Sequence, residues 1–343
     1  MERAVLGEAR DCCAPPVNPK SAPLYGALDL GTNNCRLLLA TPAADGFRVI
    51  DAFSRITRLG EGLTHSGALS DEAIDRTLGA LHQCARRLAR RSVVRVRAVA
   101  TEACRRASNC ATFLSRVYDE TGLEMEIISA DEEACLALAG CASLLDRQLP
   151  HALVFDIGGG STELVRVKVS PTNGAAEVEG LSSLPLGVVT LAEQCGDALY
   201  AAGGYAETVD WVASLLQSFD PDGALGRLAA SGRMQMLGTS GTVTTLAGVH
   251  LDLPRYDRAA VDGVILDFTA IEQVSRRLVA ASAEERAAHS CIGSNRADLV
   301  VAGCAILEAI CRLWPAGRLR VADRGVREGV LLSMMRADRL ARE

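Results

Sequence analysis

Apolar and polar residues alternate along this chain with two different periods, and each period predicts one kind of secondary structure. Tyr25–Thr41, Phe47–Ser54 and Val93–Ala100 follow the period of two that is typical of strands. Between them, apolar residues recur on one helical face over Asp71–Arg91, and Ser70 stands where an N-cap is expected. Strands that alternate with helices indicate an α/β protein.

The same two periods predict the remaining elements. The expected helices are Asn109–Thr121, Asp131–Asp146, Ala206–Phe219, Gly241–Val249, Thr269–Ala281, Ala297–Leu313 and Arg327–Arg342. The expected strands are Met125–Ser129, Met234–Gly238 and Arg318–Ala322, with a strand–turn–strand unit over Ala152–Val169. Met1–Lys20 has neither period and lacks a continuous apolar stretch, so we expect a flexible tail rather than a secretory signal peptide.

The pattern of the first two strands restarts in the middle of the chain. Residues 27–38 read ALDLGTNNCRLL and residues 154–165 read VFDIGGGSTELV. Each copy runs from an apolar strand through an aspartate and a glycine turn into a second strand. A charged residue, Arg36 or Glu163, stands seven positions after the aspartate in both copies. A repeat at this spacing indicates a duplicated domain.

The duplication divides the chain of 343 residues into two parts. We expect a tail over residues 1–23, a first domain over 24–147 and a second domain over 148–322. The C-terminal helix, at about 323–343, is expected to pack back on the first domain.

The composition excludes several classes of protein. A formal net charge of −6 argues against a nucleic-acid-binding protein, although it allows a local basic cleft. The 36 Lys and Arg residues include only two lysines, Lys20 and Lys168, and neither follows a P-loop glycine, so P-loop phosphate chemistry is excluded. The 12 cysteines lack metal-ligand spacing and favour a reduced, cytoplasmic protein. The longest apolar run, near Leu299–Leu307, is shorter than the roughly 20 residues that a membrane span requires.

The two glycine turns are candidates for phosphate binding. Small residues leave backbone N–H groups free to converge on phosphate oxygens, and hydroxyl groups add further donors. The candidate residues are Gly31, Thr32 and Asn33 in the first turn, and Gly158, Gly159, Gly160 and Ser161 in the second. A carboxylate beside a phosphate needs a cation between them, so Asp29, Asp156 and Glu163 are candidate ligands of Mg²⁺. For either glycine turn taken alone, the alternative to a phosphate-binding site is an ordinary tight hairpin.

A third glycine loop strengthens the case for phosphate chemistry. Gly238, Thr239, Ser240, Gly241 and Thr242 follow a short strand and open a predicted helix. A glycine-rich helix N-terminus binds anions through its free N–H groups and the helix dipole.

Together these loops resemble those of the actin-like ATPase superfamily, and the chain is most similar to its exopolyphosphatase / guanosine pentaphosphate phosphohydrolase family. The similarity extends from about Leu24 to the C-terminus, and the chain resembles the short, two-domain members. The segments that carry it are ALDLGTN at 27–33, VATEACRRA at 99–107, ISADEEA at 128–134, DIGGGSTE at 156–163, LPLG at 184–187, GTSGT at 238–242 and REGVL at 327–331. The segments at 99–107 and 128–134 are the most specific to the family.

The resemblance implies two duplicated ribonuclease-H-like domains with a cleft between them. It also implies that Glu133 is the catalytic carboxylate and that Asp156, Gly158 and Glu163 belong to a metal and phosphate hairpin. The positions of family arginines that bind the phosphate chain match Arg36, Arg105 and Arg327. The implied cofactor is Mg²⁺, with Mn²⁺ and K⁺ as further candidates.

Two positions depart from the family pattern. Cys135 replaces a basic residue, and Asp262 replaces the histidine of a V-H-G element. We therefore expect hydrolysis of inorganic polyphosphate ahead of guanosine pentaphosphate. An actin-like ATP-binding module and a polyphosphate or alarmone sensor without activity remain alternatives, and a homodimer is compatible with the resemblance. Neither nucleic acid nor a membrane is an expected partner.

Overall fold

A computed structural model describes residues 22–44 and 46–341. Met1–Lys20 of the predicted tail and Arg342 at the predicted end of the last helix lie outside these residues. The strands are β1 (Leu24–Leu30), β2 (Asn34–Ala43), β3 (Gly46–Ile56), β4 (Val93–Ala100), β5 (Met125–Ile127), β6 (His151–Ile157), β7 (Thr162–Val169), β8 (Ala176–Leu184), β9 (Met234–Thr239), β10 (Ile265–Asp267) and β11 (Arg318–Ala322).

The helices connect these strands in an alternating order. They are α1 (Leu63–Ser66), α2 (Asp71–Ala89), α3 (Glu102–Arg106), α4 (Cys110–Thr121), α5 (Ala130–Cys141), α6 (Val188–Cys195), α7 (Gly204–Leu216), α8 (Ala224–Ala230), α9 (Ser240–His250), α10 (Arg258–Val261), α11 (Phe268–Ala280), α12 (Ala283–Ala288), α13 (Val300–Leu313) and α14 (Val326–Leu340). Short 3₁₀ helices cover Ala142–Leu144, Gly196–Tyr200 and Gln217–Phe219.

The strands form two sheets with the same internal order. The first sheet runs β3-β2-β1-β4-β5 and the second β10-β11-β9-β6-β7-β8. In each sheet an antiparallel hairpin carries a third antiparallel strand on one side, and parallel strands follow on the other. The second sheet adds β10 at its edge. The two-domain α/β fold expected from the repeat is therefore confirmed, since β1 to β5 correspond in order to β6, β7, β8, β9 and β11.

Helix α5 lies between the two sheets. Leu136 and Ala137 belong to the apolar cluster on one face of the first sheet, together with residues of α14. Ala134 and Leu138 of the same helix belong to the cluster on the second sheet. Helix α14 crosses α5 so closely that a Cβ atom on Gly329 would lie 2.0 Å from the Leu136 carbonyl oxygen. The C-terminal helix thus packs on α5 and on β1 of the first sheet.

The strongly periodic elements were predictable, and the short ones were not. Helix α2 begins at Asp71, and the Ser70 hydroxyl accepts a hydrogen bond from the Ala73 N–H, as expected of its N-cap. Ser129, predicted as the end of a strand, instead caps α5 by accepting a hydrogen bond from the Glu132 N–H. The sequence pattern missed β8 and β10, and also α1, α3, α6, α8, α10 and α12, because these are brief or, in β8, interrupted by a glycine and a register shift.

Two sequence expectations concern chemistry outside the cleft. The ten described cysteines are all free thiols, and most of them are buried. Within the described part of the chain, no helix combines the length and apolar character that crossing a membrane requires.

Candidate active site

A cavity of about 620 Å³ lies between the two domains, where the three glycine loops meet. Sixteen of the residues singled out from the sequence line it, and both domains contribute. They are Asp29, Gly31, Thr32, Asn33, Arg36, Glu133, Asp156, Gly158, Gly159, Gly160, Ser161, Thr239, Ser240, Gly241, Thr242 and Arg327.

The two glycine turns pack directly against each other across the domain boundary. A Cβ atom on Gly159 would lie 3.1 Å from the Cβ of Asn33, and one on Gly160 would lie 2.6 Å from the Thr32 hydroxyl oxygen. Only glycine allows this approach of the two backbones. The glycines of the second turn therefore set the width of the cleft floor as well as exposing N–H groups.

The third loop is held in a strained conformation at the start of α9. Ser240 has a φ of 86°, in the left-handed region that residues other than glycine rarely adopt. Its hydroxyl donates a hydrogen bond of 2.5 Å to the Ile157 carbonyl, and the Thr239 hydroxyl donates to the Arg324 carbonyl. These two bonds tie the N-terminus of α9 to the end of β6 and to the loop before α14.

Three arginines face the cavity with few partners of their own. No hydrogen bond or ion pair joins the Arg36 side chain to another of the described residues, and its Nη2 atom lies 3.9 Å from where a Gly241 Cβ would stand. Burial and the charge of Arg36 lower the pKa of Arg296, whose side chain makes one hydrogen bond within the described chain, to the Thr245 hydroxyl at 3.3 Å. Arg327 is also buried, which lowers its pKa, and its nearest carboxylate oxygen, on Glu328, is 3.9 Å away. Three partly buried cations, of which Arg36 repels the other two, make a site for an anion.

Four buried carboxyl groups lie on or just behind the same wall. Burial raises the pKa of Asp29, although Arg36 opposes it, and raises the pKa of Asp156 to about 6. Burial and the charge of Asp156 raise the pKa of Glu163 to about 7. Burial and Glu163 raise the pKa of Glu133 well above its ordinary value, against the effect of Arg105. Perturbed carboxyl groups that converge in a cleft are typical of a functional site.

Arg105, predicted to bind phosphate, is not part of the cavity lining. Its Nε and Nη2 atoms donate to one oxygen of Glu102 at 3.1 and 2.9 Å, and its Nη1 donates to the Ile128 carbonyl at 2.9 Å. The same Nη1 atom forms an ion pair of 2.8 Å with Glu133. The guanidinium is therefore occupied in holding two carboxylates, and Glu102 and Glu133, not Arg105, reach the cavity wall.

Other sequence candidates also lie off the wall. Gly238 is buried in β9, where a Cβ atom would meet the ring of Phe155 at 2.7 Å, so its small size serves packing. Glu163 lies behind Asp156 and accepts a hydrogen bond from the Ser183 hydroxyl at 2.8 Å.

The two departures from the family pattern lie outside the lining of the cavity. Asp262 accepts a hydrogen bond from the Asp323 N–H at 3.0 Å and pairs with Arg324 at 2.7 Å. Cys135 is exposed on α5. Neither residue lines the cavity itself, but Asp262 bonds to two residues that do, Asp323 and Arg324, so this departure reaches the wall through its partners.

The carboxylates on the cavity wall supply some of the oxygen ligands that a hard divalent cation takes. Asp29 and Asp156 place carboxylate oxygens on the wall. Burial disfavours their charged forms and so raises the pKa of each. Among the described residues, no three His, Cys, Asp or Glu side chains gather closely enough to hold a metal by themselves. Magnesium usually takes one or two protein carboxylates together with substrate phosphates and water, which this arrangement suits.

The sequence pattern missed several wall residues, notably Glu102, Tyr256, Arg296 and Arg324. Glu102 lies inside the family segment at 99–107, and its place there could have marked it as a candidate site residue. Arg296 and Arg324 stand in no repeat, and with so many arginines in the chain nothing local distinguishes them from surface cations.

Comparisons with known proteins agree with this architecture. A model of the Ppx/GppA phosphatase family matches residues 39–338. A curated relative, exopolyphosphatase 2 of Mycobacterium tuberculosis, is 31% identical in an alignment 322 residues long that covers 90% of this chain and 97% of the relative. The crystal structure of the Aquifex aeolicus member of the Ppx/GppA family has a TM-score of 0.73 at 30% identity and covers 93% of this chain and 99% of its own. An exopolyphosphatase from Cytophaga hutchinsonii has a TM-score of 0.81 at 25% identity, covering 92% and 98%.

Proposed function

Because the chain belongs to the Ppx/GppA phosphatase family, we propose that it is an exopolyphosphatase, which releases the terminal phosphate of inorganic polyphosphate. Membership makes it a hydrolase of phosphoanhydride bonds. The observation that carries the choice of substrate is the group of three cavity arginines, Arg36, Arg296 and Arg327, whose donors are largely unpaired. A chain of phosphates supplies several anionic groups in a row, and the arginine fork binds such oxygens in pairs.

In this proposal Glu133 activates the attacking water. Its carboxylate accepts a proton as the water oxygen bonds to the terminal phosphorus, the bond from that phosphorus to the bridging oxygen breaks, and the shortened chain leaves with the electron pair. A raised pKa suits this task, because it makes the Glu133 carboxylate a stronger base than an ordinary glutamate. Arg105 and Glu102 hold the Glu133 side chain at the wall.

Asp29 and Asp156 would hold a divalent cation, with Glu163 behind them. When bound, Mg²⁺ or Mn²⁺ supplies positive charge that offsets the charge of the phosphoryl oxygens. The backbone N–H groups of the turns at Gly31 and Gly158 and of the α9 N-terminus orient the phosphates.

Phosphate release from long-chain polyphosphate by the purified protein tests the proposal. We expect Glu133→Gln to lower kcat by about 10²- to 10⁴-fold, since the proton acceptor is lost. Glu132→Gln is the matched control, because Glu132 precedes Glu133 on α5 and pairs with Arg97 outside the cavity at 2.6 Å. Equal losses in the two variants, or none in Glu133→Gln, would contradict the role of Glu133. Tight ATP or polyphosphate binding without hydrolysis would favour the ATP-binding or sensor alternatives.

One observation favours a second candidate substrate, guanosine pentaphosphate. Beyond the arginines the cavity continues past Tyr256, Ile292 and Asn295, which offer an aromatic ring, an apolar side chain and an amide rather than cations. Such a chamber has room for a nucleoside next to the phosphates. A comparison of kcat/KM for the two substrates at equal Mg²⁺ decides between them, and a much higher value for guanosine pentaphosphate would reverse our order.

A further inference from the structure

The loop of residues 57–62, between β3 and α1, connects the first glycine turn to the second domain. On its own side, the N–H groups of Thr57 and Arg58 donate to the Asn33 carbonyl at 2.9 and 3.1 Å, and the Gly60 N–H donates to the Thr32 carbonyl at 2.9 Å. The loop is therefore bonded directly to the turn that lines the cavity.

Arg76 of α2 fixes the loop from behind. Its Nε atom donates to the Thr57 carbonyl at 3.0 Å, and its Nη2 atom pairs with Glu61 at 2.6 Å. With both ends of the loop held, the Arg58 side chain projects from a rigid support.

The Arg58 side chain crosses the domain boundary and binds the segment before α13. Its Nη1 and Nη2 atoms reach the two carboxylate oxygens of Asp298 at 2.9 and 3.0 Å. Nη2 also donates to the Asn295 carbonyl at 3.2 Å. A second contact lies nearby, where the Gly62 N–H donates to Glu193 of α6 at 2.7 Å. A two-pronged arginine–carboxylate pair fixes orientation as well as distance.

The segment that Arg58 grips carries one of the cavity cations. Asn295 and Asp298 flank Arg296, whose guanidinium lines the cavity with Thr245 as its only hydrogen-bond partner in the described chain. The position of the Arg296 guanidinium therefore depends on a segment that the first domain holds from outside the cavity.

The backbone of Arg58 is itself unusual. Its φ of 49° lies in the left-handed region, which costs an arginine about 1 kcal/mol or more. Such a conformation persists where the surrounding contacts determine it, and here five hydrogen-bonded neighbours do so.

We propose that Arg58 is a positioning residue, which couples closure of the cleft to placement of Arg296 for an anionic substrate. The proposal rests on the proposed function for the identity of that anion. When Arg58 and Asp298 are joined, the two domains are held together and Arg296 is held at the cavity. When they separate, the cleft is free to open and Arg296 loses its fixed position.

Charge exchange tests the pair. Arg58→Asp removes the cation and tolerates the left-handed backbone, since aspartate adopts it more readily than arginine. Arg58→Asp or Asp298→Arg alone should raise KM for long-chain polyphosphate about fivefold with kcat within about twofold, because a part-exposed pair contributes up to about that factor. The double variant restores an opposite-charge pair and should return KM to within about twofold of the original. An unchanged KM in both single variants, or no recovery in the double variant, would overturn the proposal.

Asp210→Arg is the control, because Asp210 pairs with Arg312 at 2.7 Å within the second domain alone. It should leave KM within about twofold, and a fivefold rise there would overturn the assignment to the domain boundary.

Two further measurements separate this proposal from the proposed function. Polyphosphate affinity, measured in a Glu133→Gln background without turnover, should fall by the same factor of about five on Arg58→Asp. Small-angle scattering of the substrate-free protein should give a larger radius of gyration for Arg58→Asp than for the unaltered chain, and an equal radius would overturn the coupling. Should the unaltered protein bind no polyphosphate, the proposed function fails while scattering still decides the role of Arg58.

Discussion

The hairpins β1–β2 and β6–β7 have the same backbone arrangement. They differ in the charge of the residue that stands opposite the aspartate. In the first, Asp29 pairs across the ladder with Arg36, and in the second Asp156 pairs with Glu163. Cross-strand neighbours on one face lie close enough to interact directly. The first hairpin therefore presents an aspartate beside a cation, and the second presents two carboxylates side by side.

This difference assigns separate tasks to two copies of one structure. Arg36 opposes the rise in the pKa of Asp29, while Asp156 adds to the rise in the pKa of Glu163. A like-charged pair is relieved by a bound cation, and an arginine with free donors is relieved by a bound anion. We therefore expect Glu163 of the second hairpin to act on metal affinity and Arg36 of the first to act on phosphate affinity.

The largest test of this difference is Glu163→Gln. Removing the charge behind Asp156 should weaken Mg²⁺ binding and lower kcat about 10³-fold at fixed Mg²⁺, with partial recovery at higher Mg²⁺. Activity measured over a series of Mg²⁺ concentrations checks it. A loss that no concentration of Mg²⁺ reduces would separate Glu163 from metal binding.

Arg36→Gln should lower activity less than Glu163→Gln does, and it should weaken binding of the phosphate chain rather than of Mg²⁺. We expect kcat/KM for polyphosphate to fall about 10²-fold, because one of the three cavity arginines with largely unpaired donors is lost, while the Mg²⁺ dependence stays as it was. Steady-state kinetics in parallel with Glu163→Gln checks the contrast. If both variants alter the response to Mg²⁺ equally, the two hairpins do not divide the work.

The glycines of the two turns should also respond differently. A Cβ on Gly160 would press on Thr32, so Gly160→Ala should destabilise the protein by about 1–3 kcal/mol. A Cβ on Gly31 would meet only the Asn34 carbonyl at 3.6 Å, an ordinary contact, so Gly31→Ala should stay within about 0.5 kcal/mol. Thermal unfolding of both variants checks the ranking, and equal midpoints would contradict the close packing of the second turn.

The smallest expected effect is on the pH dependence of stability. The folded protein raises the pKa of Glu163 from its ordinary 4.5 to about 7, so the folded state binds this proton more tightly than the unfolded state. In metal-free protein, the stability that Glu163 contributes is present below about pH 4.5 and is lost as pH rises through about 7.

Melting temperatures of metal-free protein at pH 5.5 and 8 measure this loss. Glu163→Gln should reduce the loss of unfolding free energy between these two pH values by on the order of 1–2 kcal/mol. Mg²⁺ should stabilise the unaltered chain more at pH 8 than at pH 5.5. Parallel curves for the two proteins would show that Glu163 keeps an ordinary pKa.

The repeat predicted the paired hairpins because its information is local. An aspartate, a glycine turn and a charged residue seven positions on are enough to place Asp29 opposite Arg36, since a tight turn fixes the register of a hairpin. Long amphipathic helices such as α2 were predictable for the same reason. Strand β8 was missed because its alternation breaks at Gly180 and a register shift, and only pairing with β7 makes it a strand.

The tertiary structure decided which charged side chains meet in the cleft. Arg105 matched a family position, yet it is occupied by Glu102 and Glu133, whereas Arg296 and Arg58 belong to no repeat and became significant only across the domain boundary. Turn geometry and periodicity act over a few residues and can be read from order alone. The position of a long arginine side chain depends on burial and on partners hundreds of residues away, such as Asp298 for Arg58, and that information exists only once the chain has folded.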